Sequence, residues 1–205
     1  MNQKAFTGSF EIAADKNIKD DVMKFKFCPF CGERLQPKAG SHHRRMFCER
    51  CRWTHYKNPT VGVAVILFKD DELLLVKRTG SYPGMWCIPC GHVEYDEDVR
   101  AAAVREFKEE TGLDVDIGDV FAVHSNFHDL KKQTVGIWFL GTCTGGELKA
   151  GSDAGEAEFF PLDNLPEEMA FPTDVLVCEQ LTREFINCST LSKLPSLART
   201  SFGRF

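Results

Sequence analysis

Glu106, Glu109 and Glu110 fall within roughly one third of the circumference of a helix. The segment that carries them is Ala-rich and free of Pro and Gly from about Asp98 until Thr111-Gly112, where the glycine supplies a natural C-terminal stop. Val99, Ala102, Ala103 and Leu113 extend the same stripe, so the three carboxylates share the face expected to turn inward. Like charges on an inward face are costly unless a cation neutralises them. Mg²⁺ suits such a set, because it binds through a few carboxylates, water and substrate phosphates. Arg105, four residues before Glu109, is placed to orient that carboxylate. The bland alternative is a solvated helix with Glu/Arg/Lys pairs, and the shared apolar stripe argues against it.

A second set of ligand-type residues precedes it. Cys28, Cys31, Cys48 and Cys51 form two C-x2-C knuckles, with Gly32 where a knuckle turn wants glycine. Four thiolates at this spacing point to a structural zinc ion on a small β-ribbon; disulfides would be disfavoured in a reducing compartment. A tetrathiolate site is coordinatively closed, so its zinc should fold the module and leave catalysis elsewhere. His42, His43, Arg44, Arg45, Arg50 and Arg52 flank the cysteines. Solvated compensation of the zinc-thiolate charge is the preferred use, and a nucleic-acid patch is the competing one.

The stretch from Gly91 to Leu113 resembles the signature of the Nudix hydrolases, G-x5-E-x7-R-E-U-x-E-E-x-G-U with U bulky and apolar. Gly91, Glu97, Arg105, Glu106, Phe107, Glu109, Glu110, Gly112 and Leu113 fill its fixed positions. The resemblance implies an α/β fold: an α/β/α sandwich with a mixed sheet, here preceded by the zinc ribbon. It implies Mg²⁺ or Mn²⁺ held by Glu106, Glu109 and Glu110, a supporting acidic role for Glu97, and a backbone carbonyl ligand from Cys90. Relatives usually carry Gly or Ala at that last position; a carbonyl ligand is independent of its side chain, so coordination is compatible with cysteine. Lys77, Arg78 and Trp86 resemble positions that organise the metal loop, and direct substrate contact by Arg78 ranks equally with a framework role. A further acidic group is implied before the strand beginning near Phe159, with Asp153 and Glu156 both candidates. Glu109, Asp153 or Glu156 would take the proton from an attacking water.

The implied reaction is hydrolysis of a nucleoside diphosphate linked to another moiety, releasing a nucleoside monophosphate. A four-cysteine ribbon joined to this signature is similar to NADH pyrophosphatases and to enzymes acting on ADP-ribose or FAD. The former carry an SQPWPFPxS-like stretch after the signature, whereas this chain reads SNFHDLKKQ there. ADP-ribose or FAD therefore becomes the expected substrate type, and NADH or an NAD cap the alternative. His124 and His128, near the same turn, are candidates for base-edge or phosphate contacts, although ordinary surface or loop histidines are commoner.

The elements needed to hold these residues are legible in outline. Val61–Phe68 reads as a central strand and Leu73–Arg78 as its hairpin return through Asp70-Asp71. Trp86–Ile88 forms a short strand into the metal loop. Leu113–Ser125 and Lys132–Thr144 read as paired strands, and Phe171–Asn187 as a closing amphipathic helix with Val175, Leu176, Leu181 and Phe185 at helical spacing. Cys87, Cys143, Cys178 and Cys188 are assigned only to packing. The expected organisation is an arm or short helix over 1–26, the ribbon over 27–57, the catalytic domain over 58–188 and a tail over 189–205.

Charge divides along the same line. The net charge of −5 splits into +6 over residues 1–60 and −11 over residues 61–205. The acidic region is thus unsuited to gripping nucleic acid and suited to a cation site. No apolar run approaches the roughly 20 residues of a spanning helix. The polar N-terminus lacks a secretory pattern, so a cytoplasmic protein is expected. A nucleotide-derived small molecule is the expected partner, and a homodimer is compatible with what many relatives form.

Overall fold

Alternation along one strand sorts the core into two layers. In β4 (Thr60–Ile66), Val63 and Val65 pack on one side with Leu67, while Ala64 and Ile66 pack on the other. A strand buried on both faces must be apolar at consecutive positions, which is why VGVAVIL reads as an unbroken run. The computed structural model describes residues 25–40, 45–129 and 132–190, with side chains described as far as residue 184. The expected arm and short helix before residue 25, the residues His42, His43 and Arg44, the side chains of Phe185 and Cys188, and the tail from 191 lie outside the described residues.

The chain divides into two units, Met1–Asn58 and Pro59–Phe205. In the first, β1 (Gln36–Pro37), β2 (Met46–Phe47) and β3 (Thr54–His55) form a small antiparallel sheet in that order. Its core is small: Cys28, Leu35, Met46 and Cys48 are buried, with Cys31 and Trp53 packed against them.

In the second unit, β8 (Cys90–His92), β4, β10 (Thr134–Gly146) and β9 (Leu113–Asn126) form a mixed sheet in that order. β4 runs parallel to β10 and antiparallel to β8. A second sheet is ordered β11 (Ala154–Pro161), β6 (Glu72–Arg78), β5 (Phe68–Lys69), with β7 (Trp86–Cys87) also paired to β6. Helix α1 (Val99–Thr111) lays Ala102, Ala103 and Phe107 on the side of Val63 and Val65. Helix α2 (Pro172–Thr190) lays Val177, Cys178 and Leu181 on the side of Ala64 and Ile66. The result is the α/β arrangement with a mixed sheet between helices that the signature implied.

Two local expectations need correction. The return strand does not pair with β4: the chain changes sheets at Leu67, and the hairpin joins β5 to β6 through Asp70 and Asp71, both at positive φ. A turn with two positive φ values matches the strand twist, which favours residues such as Asp there. The buried stripe of α2 also differs, since Val175 and Leu176 are about two fifths exposed while Val177 and Cys178 are buried. The stripe follows Asp174, Val177, Cys178 and Leu181, an i, i+3, i+4, i+7 set whose first member is a buried carboxylate.

Candidate active site

Helix α1 begins where Asp98 accepts from the amides of Arg100 (2.9 Å) and Ala101 (3.3 Å), and ends at Gly112 with φ of 73°. Such an N-cap contributes about 1 kcal/mol. Glycine meets the left-handed C-terminal position without strain. Between these caps the three glutamates occupy graded environments. Glu110 is 1% exposed, the Glu106 side chain 18%, and the Glu109 side chain 48%. The inward stripe therefore holds Glu110 fully, Glu106 largely, and Glu109 at its rim.

Each has a defined partner. Glu110 accepts the Cys90 amide at 2.7 Å. Burial first, then the Cys87 thiol, pushes its carboxyl up to about 9. A carboxyl so placed retains a proton at neutral pH unless a cation replaces it. Arg105 makes a two-pronged contact with Glu97 at 2.8 and 2.7 Å, meets Glu106 at 2.8 Å, and reaches Glu109 at 3.6 Å. The expected Arg105–Glu109 pair exists, but it is the longest of these contacts. Arg105, first through its hydrogen bonds, holds Glu97 down to about 2. Both Glu97 oxygens are engaged, one of them also by the Glu94 amide.

Gly91 shows why the signature begins with glycine. A Cβ there would overlap the Glu106 carboxylate, so the main chain and that side chain touch directly. Gly91→Ala is expected to weaken apparent metal affinity by roughly tenfold or more. Metal-dependent fluorescence titration checks this, with a thermal melt separating it from unfolding.

The loop before β11 docks on the end of α1. Lys149 N donates to Thr111 O (2.8 Å) and Gly151 N to Glu110 O (3.1 Å). Thr79 then donates to Asp153 O from both its amide (2.8 Å) and its hydroxyl (2.7 Å), and the Asp153 side chain accepts from Arg78 (2.9 Å). Glu156 pairs with Lys77 Nζ at 3.2 Å. Asp153 lines the cleft described next, and Glu156 is not part of its wall.

That cleft has a volume of about 640 Å³. One part of its wall is acidic: Cys90, Gly91, Glu106, Glu109 and Asp153. Another is aromatic: Tyr82, His128 and Phe171, joined by Asn126. The His128 backbone amide donates to Asn126 Oδ1, which makes that oxygen an acceptor for His128 Nδ1–H as well. The other ring nitrogen is then the acceptor for the Tyr82 hydroxyl, at 2.5 Å. The Tyr82 and Phe171 rings meet edge to face at 5.6 Å. Tyr82 holds a positive φ of 58°, a strained backbone for a bulky residue.

Arg78 connects the two parts. Its guanidinium donates to Ser81 O, Ser81 Oγ and Asp153, lies near the sulfurs of Cys87 (3.7 Å) and Cys90 (4.0 Å), and stacks on Phe171 at 5.3 Å. Trp86 is 8% exposed, packed edge to face on Phe160 with Lys77 over its ring. It stands outside the cleft wall. His124 also lies outside that wall, its ring edge-on to Trp138.

Asp174 lay beyond the sequence reading, and a first-turn aspartate gives no signal of its burial. It accepts the Ile88 amide (3.1 Å) and the Trp138 indole N–H (3.0 Å). Burial nevertheless raises its carboxyl to about 7. Between about pH 4 and 7 the folded chain then holds a proton that the unfolded chain releases, so this group makes stability fall as pH rises. Asp174→Asn should remove that component. The stability difference between wild type and variant should shrink by on the order of 2 kcal/mol from pH 5 to pH 8, read by urea unfolding of the metal-free protein.

In the ribbon, the four sulfurs of Cys28, Cys31, Cys48 and Cys51 lie within 4.8 Å of one another. Tetrahedral zinc with arms of about 2.3 Å fits this spacing. The Cys51 amide donates to Cys48 Sγ at 3.4 Å. A backbone hydrogen bond at Glu33, then the Cys51 thiol, lowers Cys31 to about 7, toward the thiolate that metal ligation requires.

Comparison with known proteins agrees with both units. A family model described as NUDIX domain matches residues 58–180, and one described as Nudix N-terminal, a zinc ribbon, matches residues 26–57. An ADP-ribose pyrophosphatase of Methanocaldococcus jannaschii is 43% identical over 124 residues, 60% of this chain and 73% of that protein. An NAD-capped RNA hydrolase NudC of Stutzerimonas stutzeri is 31% identical over 148 residues, 71% of this chain and 51% of that one. The chain thus spans about half the length of that NudC relative. A NUDIX hydrolase structure from Nitrosomonas europaea superposes with a TM-score of 0.70 at 29% identity, covering 80% of this chain and 93% of that one.

Proposed function

The chain belongs to the Nudix hydrolase family, and from that membership we propose that it hydrolyses the pyrophosphate bond of a nucleoside diphosphate linked to another moiety, of ADP-ribose or FAD type, with Mg²⁺ or Mn²⁺. The observation that carries this reading is the convergence of Glu106, Glu109, Asp153 and the Cys90 main chain on one cleft, backed by the buried Glu110. An all-oxygen donor set of this charge fits a hard divalent ion. Such an ion, when bound, screens the diphosphate and acidifies a coordinated water.

The protein's own groups divide the remaining work. Glu106 and Glu110 are held in place, by Arg105 and by the Cys90 amide, and would serve as ligands together with Asp153 and the Cys90 carbonyl. Glu97 would act through Arg105, since its oxygens are already taken. Glu109 is half exposed with one long contact, so it is the group free to accept a proton from water. Arg78 and Trp86 would position the loop and sheet, Arg78 with one face toward substrate. The Tyr82–His128–Phe171 wall would receive the planar base, with His128 already hydrogen-bonded on both nitrogens.

The likeness to the ADP-ribose pyrophosphatase of Methanocaldococcus jannaschii favours ADP-ribose, and the NudC relatives keep NADH or an NAD cap as the second reading. A screen of ADP-ribose, FAD, NADH and dinucleoside polyphosphates, scored by nucleoside monophosphate release, decides between them. Turnover of ADP-ribose or FAD at least tenfold above NADH is the expected result. Equal or faster NADH cleavage would reverse the order, and no metal-dependent release from any of them would end the proposal.

A further inference from the structure

The ribbon sheet has two faces of opposite character. Its register sets Gln36 against Phe47 and Phe47 against Thr54, so these three share one face. Met46, on the other face, packs with the buried cysteines. Three cations gather on the Phe47 face. Lys38 lies over the Phe47 ring at 5.6 Å and donates to Thr54 Oγ1 at 3.1 Å. Arg52 lies over the same ring at 5.4 Å, and Arg45 over the Tyr56 ring at 4.8 Å. Tyr56 is 53% exposed and the Arg52 side chain 79%. Glu49 meets Arg52 at 3.8 Å, with both groups largely in solvent, so this contact neutralises little.

The sequence left Arg45 and Arg52 two uses, solvated compensation of a zinc-thiolate centre or a nucleic-acid patch, and assigned Lys38 none. Among the described residues no Lys or Arg side chain of the ribbon is hydrogen-bonded to a cysteine sulfur, and Lys38, Arg45 and Arg52 sit on aromatic rings. Positive charges interleaved with the half-buried Phe47 ring and the exposed Tyr56 ring match a strand whose phosphates alternate with unstacked bases. A duplex presents the phosphates but hides the base faces. We propose that this face binds single-stranded nucleic acid, with Lys38, Arg45 and Arg52 taking phosphates and Tyr56 stacking on a base.

The test uses the intact, zinc-loaded protein with labelled 12-nucleotide oligouridine, oligothymidine and a duplex of the same length, by fluorescence anisotropy from 50 to 300 mM KCl. Both single strands should bind more tightly than the duplex, and their relative strength separates RNA from DNA. Three neutralised phosphates predict a log-log salt slope near about −2. Removing the cations together (Lys38→Ala, Arg45→Ala, Arg52→Ala) should bring that slope close to zero. Tyr56→Leu should weaken binding by roughly tenfold and leave the slope unchanged. Zinc content and hydrolysis of small substrates report that each variant is folded; should the triple variant lose zinc, Tyr56→Leu and Lys38→Ala alone decide. Duplex binding as tight as single-strand binding overturns the proposal. So does an unchanged slope in the cation variants, or salt-sensitive self-association that oligonucleotide does not compete away.

Discussion

Glu109→Gln should lower kcat by roughly 10² or more, with substrate affinity much less affected. The substitution keeps size and hydrogen-bonding reach but cannot take a proton, and the wild-type side chain is the glutamate of the trio with freedom to do so. Asp153, by contrast, is held by Arg78 at 2.9 Å. Glu156, tied to Lys77 away from the cleft, serves as the control: Glu156→Gln should stay within about twofold of wild type, because an exposed pair of this kind carries little energy. Single-turnover kinetics at saturating metal separates the chemical step from metal binding. A Glu109→Gln enzyme with undiminished rate would remove this residue from the chemistry, and a crippled Glu156→Gln would transfer the role.

Loss of the ribbon's metal should have the larger structural effect. Among the described residues four buried side chains, two of them candidate ligand cysteines, are the core of the ribbon, which is too little to order a chain of its length. Structural zinc supplies on the order of 10 kcal/mol or more in comparable modules. Cys48→Ser, or exhaustive chelation, should therefore unfold residues 26–57. Limited proteolysis would then cut within that span, while the acidic unit keeps its own cooperative melt. Purified protein without a stoichiometric zinc, yet resistant to protease in the ribbon, would contradict this account.

The local patterns carried far into the structure. The run from Val61, the alternating strands after Leu113 and the helix bounded by Asp98 and Gly112 were legible because each is set by near neighbours in the chain. The strand partner of Leu73–Arg78 was not, since the change of sheet at Leu67 depends on which face each residue covers in three dimensions. Tyr82, Phe171 and Asp174 escaped for a related reason. They stand 92 positions apart at the extremes and share no repeat, and only the folded loop around Arg78 brings them to one cleft wall. Asp153 and Glu156 were indistinguishable by spacing. What separates them is Thr79, whose two hydrogen bonds to the Asp153 carbonyl turn that side chain inward.

Arg78 gives the cleft a mechanical property. Its one planar group grips the Ser81 turn that carries Tyr82, rests on Phe171, and pulls on Asp153. The aromatic wall and the acidic wall are thereby joined as two arms of a single lever with Arg78 at its pivot. Under the proposed function, a ligand that shifted Tyr82 would tug the Asp153 carboxylate at the far end.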